Sequence, residues 1–152
     1  MAYTTKDARQ QLLTSIAAAI EELGVAVAAL GEAYEQLDER SADKLEEDLF
    51  RPVQLAYGRA QRTYLEFAAR HDLESRTFAP ASQAAPSIGV KGFIENAVEA
   101  VARADGALAT LQDSMLPVEV GDPQLRDGLR EVRELLGHIS GLARAFVRTL
   151  GR

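Results

Sequence analysis

Apolar residues recur every three or four positions along four long stretches of this chain, the spacing that places side chains on one face of an α-helix. The first stretch predicts a helix over residues 5–40. Its apolar face comprises Leu12, Ile16, Ile20, Leu23, Val27, Leu30, Tyr34 and Leu37. The glutamates of this stretch fall on other positions, so the helix is amphipathic and is expected to pack against neighbours.

The second stretch predicts a helix over residues 41–71, with the Ser41 hydroxyl as an N-cap acceptor for a free backbone N–H. Its apolar face comprises Leu45, Leu49, Val53, Tyr57, Ala60, Tyr64, Phe67 and His71. Pro52 interrupts the helix, because its ring disfavours helical geometry at Arg51. Since the apolar phase continues past it, we expect a kink near Pro52 rather than a break.

Residues 72–86 contain Pro80, Pro86 and small polar residues without a period, which predicts an irregular loop that is long for a bundle. A third helix is predicted over residues 87–116, ended by Pro117. Its apolar face comprises Val90, Phe93, Ile94, Ala97, Val101, Leu108, Leu111 and Met115.

A fourth helix is predicted over residues 122–150, because Asp122 can cap it and Pro123 suits its first position. Its apolar face comprises Leu125, Leu129, Val132, Leu136, Ile139, Ala143, Phe146 and Leu150. Short connections at residues 38–42 and 117–122 imply antiparallel neighbours. The expected fold is therefore all-α: a single domain over residues 1–152, built as an antiparallel up-down-up-down four-helix bundle with its second helix kinked.

Composition narrows the location and the partners. The chain has no cysteine, so it has neither disulfides nor thiolate metal sites. A net charge of −6 argues against a general affinity for nucleic acid. No uncharged apolar run approaches the ~18 residues of a membrane span. We therefore expect a soluble cytoplasmic protein without a membrane span, and an excess of Arg over Lys is typical of a bacterial source with GC-rich DNA.

The two histidines do not form a metal site by sequence. Helical bundles that bind metals place Glu-x-x-His pairs on facing helices. Here the residues three positions before His71 and His138 are Ala68 and Leu135. Two isolated histidines are not a ligand set. No metal and no cofactor are predicted.

One pair of residues resembles a catalytic motif. Arg133 and His138 are separated by four residues, which is similar to the Arg-x(4–6)-His spacing of HEPN-type ribonucleases, themselves helical bundles. Residues five apart on a helix diverge by roughly 140°, so the two side chains do not share a face. No other motif dictates a reaction, so we expect a non-enzymatic protein and keep a ribonuclease as the third hypothesis.

Small residues form a ridge along the first predicted helix. Ala17, Gly24 and Gly31 recur at intervals of seven, with Ala28 among them. A glycine inside a helix costs about 0.8–1 kcal/mol relative to alanine. Close approach of another helix would compensate for that cost. The ridge is therefore interpreted either as tight packing inside the bundle or as a self-association surface.

Polar side chains on the inward faces form another candidate site. A buried tyrosine needs a hydrogen-bond partner, and residues at a similar height suggest an interior cluster of Tyr57, Asp105 and Arg133. The same region could be a pocket for a small apolar ligand. Its expected lining comprises Tyr57, Tyr64, Phe93, Asp105 and Arg133, with Phe78 as a cover.

Charge is distributed unevenly along the chain. Residues 21–48 carry ten acids and two bases, whereas Arg126, Arg130, Arg133, Arg144 and Arg148 lie on one side of the fourth predicted helix. Such asymmetry favours charge-complementary contact with another protein or another copy of the chain. The leading hypothesis is therefore a non-enzymatic scaffold or interaction protein that forms a homodimer or binds another protein, and the alternative is a bundle that binds a small apolar ligand.

Overall fold

The computed structural model describes residues 4–81 and 86–150, and all regular structure in these ranges is helical. The elements are α1 (Thr5–Gln36), α2 (Glu39–Leu45), a π-helical turn (Glu46–Phe50), α3 (Arg51–Arg70), a 3-10 turn (Pro86–Ile88), α4 (Gly89–Asp113), α5 (Leu116–Glu119), α6 (Pro123–Leu136) and α7 (Ile139–Leu150). The predicted all-α class is confirmed, whereas several predicted boundaries are not.

The turn between the first two rods lies earlier than predicted. Leu37 adopts extended backbone geometry, so α1 ends at Gln36. Asp38 then caps α2, because its side chain accepts a hydrogen bond of 2.8 Å from the Ser41 backbone N–H. The prediction of Ser41 as the N-cap is therefore wrong. A carboxylate before the helix satisfies the free N–H of Ser41, which itself lies in the first turn.

The backbone stays helical from Glu39 to Arg70 in spite of Pro52. The irregularity is the π-helical turn just before the proline, where the Arg51 N–H donates to the Glu46 carbonyl. Proline has no N–H to donate, and its ring crowds the carbonyl four residues earlier. A wider turn relieves that crowding without ending the helix.

The third predicted helix ends before Pro117. Helix α4 finishes at Asp113, and Met115 adopts a left-handed conformation with φ 70°. Pro117 lies in the first turn of α5, where its missing N–H costs nothing. Met115, expected on the inward face, is 49% exposed because the left-handed residue turns the chain away from the helix axis.

The fourth predicted helix is two helices. Asp122 caps α6 as predicted, accepting from the Leu125 N–H at 2.8 Å, and Pro123 is the first helical residue. The helix ends at Leu136, and a turn at Gly137 and His138 leads into α7, so the prediction of one continuous helix is wrong. Leu150, expected to be buried, is 36% exposed at the far end of α7.

Helix α1 runs antiparallel to both α3 and α4. Arg103 of α4 pairs with Glu22 near the middle of α1, at 2.6 Å between Nε and Oε2. Further along the chain, the Val120 carbonyl accepts from Arg9, close to the start of α1. If the direction of α1 is taken as up, α3 and α4 both therefore run down.

Helix α6 ascends beside α3, since Arg70 at the end of α3 pairs with Asp122 at the start of α6, and Arg59 pairs with Glu131. The successive directions are therefore up, down, down and up, and the predicted up-down-up-down order is wrong.

The reason for that order is the course of residues 72–81, here called the strap. The Gln10 side chain donates to the Glu74 carbonyl near the start of α1. A methyl group added at Gly24 would lie 3.6 Å from Pro80 Cα, beyond the middle of the same helix. The strap therefore runs along α1 from the start of that helix towards its end. Helix α4 can then begin near the end of α1 and run antiparallel to it.

The buried residues form one hydrophobic cluster to which all the long helices contribute. Helix α1 supplies more of it than any other element, and it packs most extensively against α4. By length and composition alone α1 could also cross a membrane, a test that core helices and signal sequences near an N-terminus pass as well. In this structure 56% of its most apolar window is buried by the rest of the chain.

Close contact between α3 and α6 depends on Gly128. A methyl group at this position would overlap the Thr63 side chain, which is 3% exposed. The Thr63 hydroxyl is already held by the Arg59 carbonyl, to which it donates at 2.8 Å. The two helices can therefore separate only by giving up the packing around this point.

We expect Gly128→Ala to lower the free energy of unfolding by about 1–3 kcal/mol, because overpacking outweighs the gain in helix propensity. Gly58→Ala is the matched control, since a methyl group at Gly58 would meet no atom within 4 Å, and it should stabilise α3. Urea denaturation followed by circular dichroism measures both. Equal stabilisation of the two variants would show that α3 and α6 do not approach closely at Gly128.

Candidate functional site

The predicted contact between Asp105 and Arg133 is present. Arg133 Nε donates to Asp105 Oδ1 at 2.8 Å, and Nη1 donates to Gln112 Oε1 at 2.8 Å. The hydrogen bond from Asp105 raises the pKa of the Arg133 guanidinium. Both side chains of the ion pair are 36% exposed, so the cluster lies at the boundary between α4, α6 and solvent rather than in the interior.

Tyr57 does not join that cluster. Its hydroxyl would lie 3.5 Å from a methyl group at Gly24, on the α1 side of α3. Among the residues with described positions, it is the one buried side-chain polar group without a hydrogen-bond partner. Burial raises the pKa of the phenol.

The rest of the predicted pocket lining is also dispersed. The Tyr64 hydroxyl accepts from the Arg76 backbone N–H at 3.2 Å, and its ring meets the Phe78 ring edge-on at 5.2 Å. Phe78 of the strap therefore covers Tyr64 as expected. Phe93 lies fully buried in the core. The five predicted residues thus occupy four separate surroundings, since only Asp105 and Arg133 contact each other.

The strap leaves a cleft of about 480 Å³ against α1, beside Tyr64. Several of its polar groups have partners within the chain. Arg76 pairs with Glu21 and stacks over the Phe78 ring at 4.3 Å, while Gln10 donates to Glu74. These contacts hold the strap on α1.

The small-residue ridge of α1 faces the chain's own side chains along much of its length. Gly24 lies against Tyr57 and Pro80, and the atom nearest to a methyl group at Gly31 is Phe50 Cζ at 3.8 Å. Ala17 is 6% exposed and lines the strap cleft, and Ala28 is partly buried. These contacts use Gly24 and part of Gly31 within the chain, and leave Ala28 and Gly31 partly exposed.

His71 belongs to an ion-pair cluster that joins the end of α3 to the start of α6. Arg70 donates to both Asp122 carboxylate oxygens at 2.8 Å, and His71 Nε2 lies 3.0 Å from Asp122 Oδ2. Burial alone would raise the pKa of Asp122, but the hydrogen bonds from Arg70, the Leu125 N–H and His71 lower that pKa to about 2. The cluster is a structural clamp around a helix cap.

Arg133 and His138 are directed to different surroundings. The Arg133 guanidinium is bonded to Asp105 and Gln112 on α4. His138 lies in the turn between α6 and α7 and lines a separate cavity with Pro52 and Leu142. Within residues 4–81 and 86–150, no group of three or more histidine and acidic side chains is placed to hold a metal ion.

The surface feature that sequence patterns did not indicate is a groove of about 450 Å³ between α4 and α7, here called the α4–α7 groove. Buried Ile94 and Ala143 form its floor, and partly exposed Val98 and Val147 widen it. Each of these valines lies one turn beyond a floor residue on the same helix. The sequence signal that could have indicated the groove was this wider apolar stripe on each of the two helices.

The two walls of the groove carry opposite charge. Glu95 and Glu99 are exposed on the α4 side, and Arg144 and Arg148 are exposed on the α7 side. Within the described parts of the chain, the one ion pair that involves any of the four is a loose contact of 3.9 Å between Lys91 and Glu95. The groove is therefore an apolar surface with an acidic rim and a basic rim.

The chain matches no protein-family model, and neither a curated protein nor a solved structure matches it. Functional inference therefore depends on the geometry described above.

Two tyrosine variants test the assignment of the hydroxyl groups. Tyr57→Phe should leave the free energy of unfolding unchanged or raise it by up to about 1 kcal/mol, because it removes a buried hydroxyl that has no partner. Tyr64→Phe, the matched variant, should lower it by about 0.5–1.5 kcal/mol through loss of the bond from Arg76. Urea denaturation measures both, and equal losses would reveal a partner for Tyr57.

The Asp122 clamp should make stability depend on pH. Its folded pKa of about 2 lies below the value of about 3.9 for an unfolded chain, so the stabilisation is complete above about pH 5 and is lost as pH falls through the folded pKa. Asp122→Asn keeps a capping acceptor and should cost about 1–2 kcal/mol at pH 7 but far less at pH 2–3. The exposed Asp43→Asn variant is the control, and a loss that is independent of pH would contradict the clamp.

Proposed function

We propose that this protein is a non-enzymatic interaction protein that self-associates through the α4–α7 groove. Its frame is inferred to be a single four-helix bundle with an up-down-down-up order, its second helix bent near Pro52 and its fourth divided at Gly137. The inference is supported by the shared hydrophobic cluster and by the ion pairs that set the helix directions. A cytoplasmic location is part of the same proposal.

The observation that carries the proposal is the combination of a partly exposed apolar groove with charged rims of opposite sign. Val98 and Val147 pack against the hydrophobic cluster and leave part of their apolar surface exposed in the groove. An apolar patch rimmed by polar groups is typical of protein–protein contact sites. A charged rim contributes orientation and rate of encounter more than affinity.

A second copy of the chain suits the groove better than a basic or an acidic partner. Because the rims are of opposite sign, a partner must present both signs at the same spacing. The chain itself offers that arrangement. By contrast, Arg126, Arg130 and Arg133 donate to groups within the chain, so that most of the basic stripe on α6 is already occupied.

A ribonuclease is not favoured. The guanidinium of Arg133 is engaged by Asp105 and Gln112, and His138 lines another cavity. Binding of a small apolar ligand is the second candidate, and the unpartnered hydroxyl of Tyr57 favours it. A ligand with a hydrogen-bond acceptor beside Gly24 would satisfy that hydroxyl, although the strap would have to move.

Sedimentation equilibrium between about 10 and 500 µM tests self-association, the range expected for a small interface. The wild-type chain should show a reversible monomer–dimer equilibrium. Val147→Asp should weaken it by about tenfold or more, because it places a charge on the apolar floor. Leu65→Asp is the matched control, since Leu65 is 41% exposed on α3 and lies outside the groove.

Circular dichroism confirms that both variants remain folded. A wild-type chain that stays monomeric up to about 500 µM, or a Leu65→Asp variant that is as impaired as Val147→Asp, would contradict the proposed function.

A further inference from the structure

We infer that the two copies pair about a two-fold axis that runs parallel to the α4–α7 groove, so that α7 of each copy lies over α4 of the other. The inference depends on the self-association proposed above and specifies its geometry. It follows from the arrangement of the rim charges and from the symmetry that a face-to-face dimer requires.

The rim residues form two short rows, one on each helix that lines the groove. Glu95 and Glu99 are four residues apart on α4, and Arg144 and Arg148 are four residues apart on α7. A spacing of four residues places each pair on one side of its helix, one turn apart. Each rim therefore presents two like charges about 6 Å apart along the groove.

Symmetry restricts how two such faces can meet. In a closed dimer of identical chains the same patch is used twice, and for two faces in contact the axis lies in the plane between them. An axis perpendicular to the groove would put α4 over α4 and α7 over α7, which stacks acid on acid and base on base. An axis parallel to the groove exchanges the two sides, so that each acidic rim meets a basic rim.

The parallel axis also preserves the height of every residue along the groove. The relative position of the two rims along the groove is therefore the same across the interface as within one chain, so that Glu95 and Glu99 face the helix that carries Arg144 and Arg148 of the other copy. The relative direction of α4 and α7 is likewise the same across the interface as within the chain. The four helices then enclose the valines of both floors, which removes Val98 and Val147 from water.

The rim charges are available for these pairs. Arg144, Arg148 and Glu99 make no ion pair with another described residue, and the Lys91–Glu95 contact is long and exposed on both sides. Opposite charges that meet across a partly desolvated groove attract more strongly than exposed pairs do. Like charges in the same place would oppose association, so the rims select one axis over the other.

Charge reversal tests the inference directly. One variant carries Arg144→Glu and Arg148→Glu, and a second carries Glu95→Lys and Glu99→Lys. Each variant alone brings like charges together twice and should dimerise at least about tenfold more weakly than the wild type. An equimolar mixture should form a heterodimer of near wild-type affinity, because both contacts in it join opposite charges.

Native mass spectrometry resolves the heterodimer by mass, and sedimentation velocity gives its affinity. Arg62→Glu with Glu66→Lys is the matched control, since these exposed residues are also four apart but lie on α3. It should dimerise as the wild type does. Raising the salt concentration to about 1 M, where the screening length falls to about 3 Å, should weaken the wild-type dimer and bring the variants closer to it.

The results that would contradict self-association differ from those that would contradict only the parallel axis. A monomeric wild-type chain overturns the proposed function and with it this geometry. A wild-type dimer, together with variants that still dimerise and a mixture that forms homodimers and heterodimers in statistical proportion, leaves self-association standing but overturns the parallel axis. A dimer abolished by either reversal and not restored in the mixture shows that the rims do not face each other.

Discussion

The burial of α1 against α3, α4 and the strap at once is the constraint on which the rest of this structure depends. Fourteen of its residues are buried, and they include small residues on both flanks of its large apolar face. Ala17 and Gly24 lie toward α3 and the strap, while Ala19, Ala26 and Ala33 recur at intervals of seven on another flank. A helix with this surface must be covered by α3, by α4 and by the strap at once, which also explains why its composition alone would suit a membrane span.

That constraint accounts for the error in the predicted helix order. Periodicity identified the large apolar residues of each rod, and nearly all of them are buried, including Leu12, Phe67 and Leu129. It could not show which rods are neighbours, because an irregular segment of about fifteen residues can either close a turn or run the length of a bundle. Here Gln10 donates to Glu74, Glu21 pairs with Arg76, and Gly24 lies near Pro80, so that successive parts of the strap lie along α1. Contacts of this kind follow no periodic pattern in the sequence.

The sequence also predicted only part of the candidate site. The contact between Asp105 and Arg133 followed from counting residues back from the turns, since both helices are regular over that length. The same count placed Tyr57 beside them, but rotation about the helix axis directs Tyr57 to α1 instead. The sequence did not indicate that Asp38 caps α2, and it indicated Asp122 as a helix cap but not as a partner of Arg70. A carboxylate near a turn can accept hydrogen bonds from several groups, and the sequence does not show which of them it contacts.

The α4–α7 groove arises from the break at Gly137, which no apolar period indicates. Helix α6 packs mainly against α3, whereas α7 packs against α4 and the π-helical turn. A straight helix over residues 123–150 would remain beside α3 and would not place Arg144 and Arg148 opposite Glu95 and Glu99. The change of direction exposes a strip of the α4 surface and brings a basic helix to its edge. The proposed interface therefore results from the division of the last predicted helix into α6, which packs on α3, and α7, which packs on α4. The sequence shows the uneven charge, but only this division brings the basic residues of α7 to the groove beside α4.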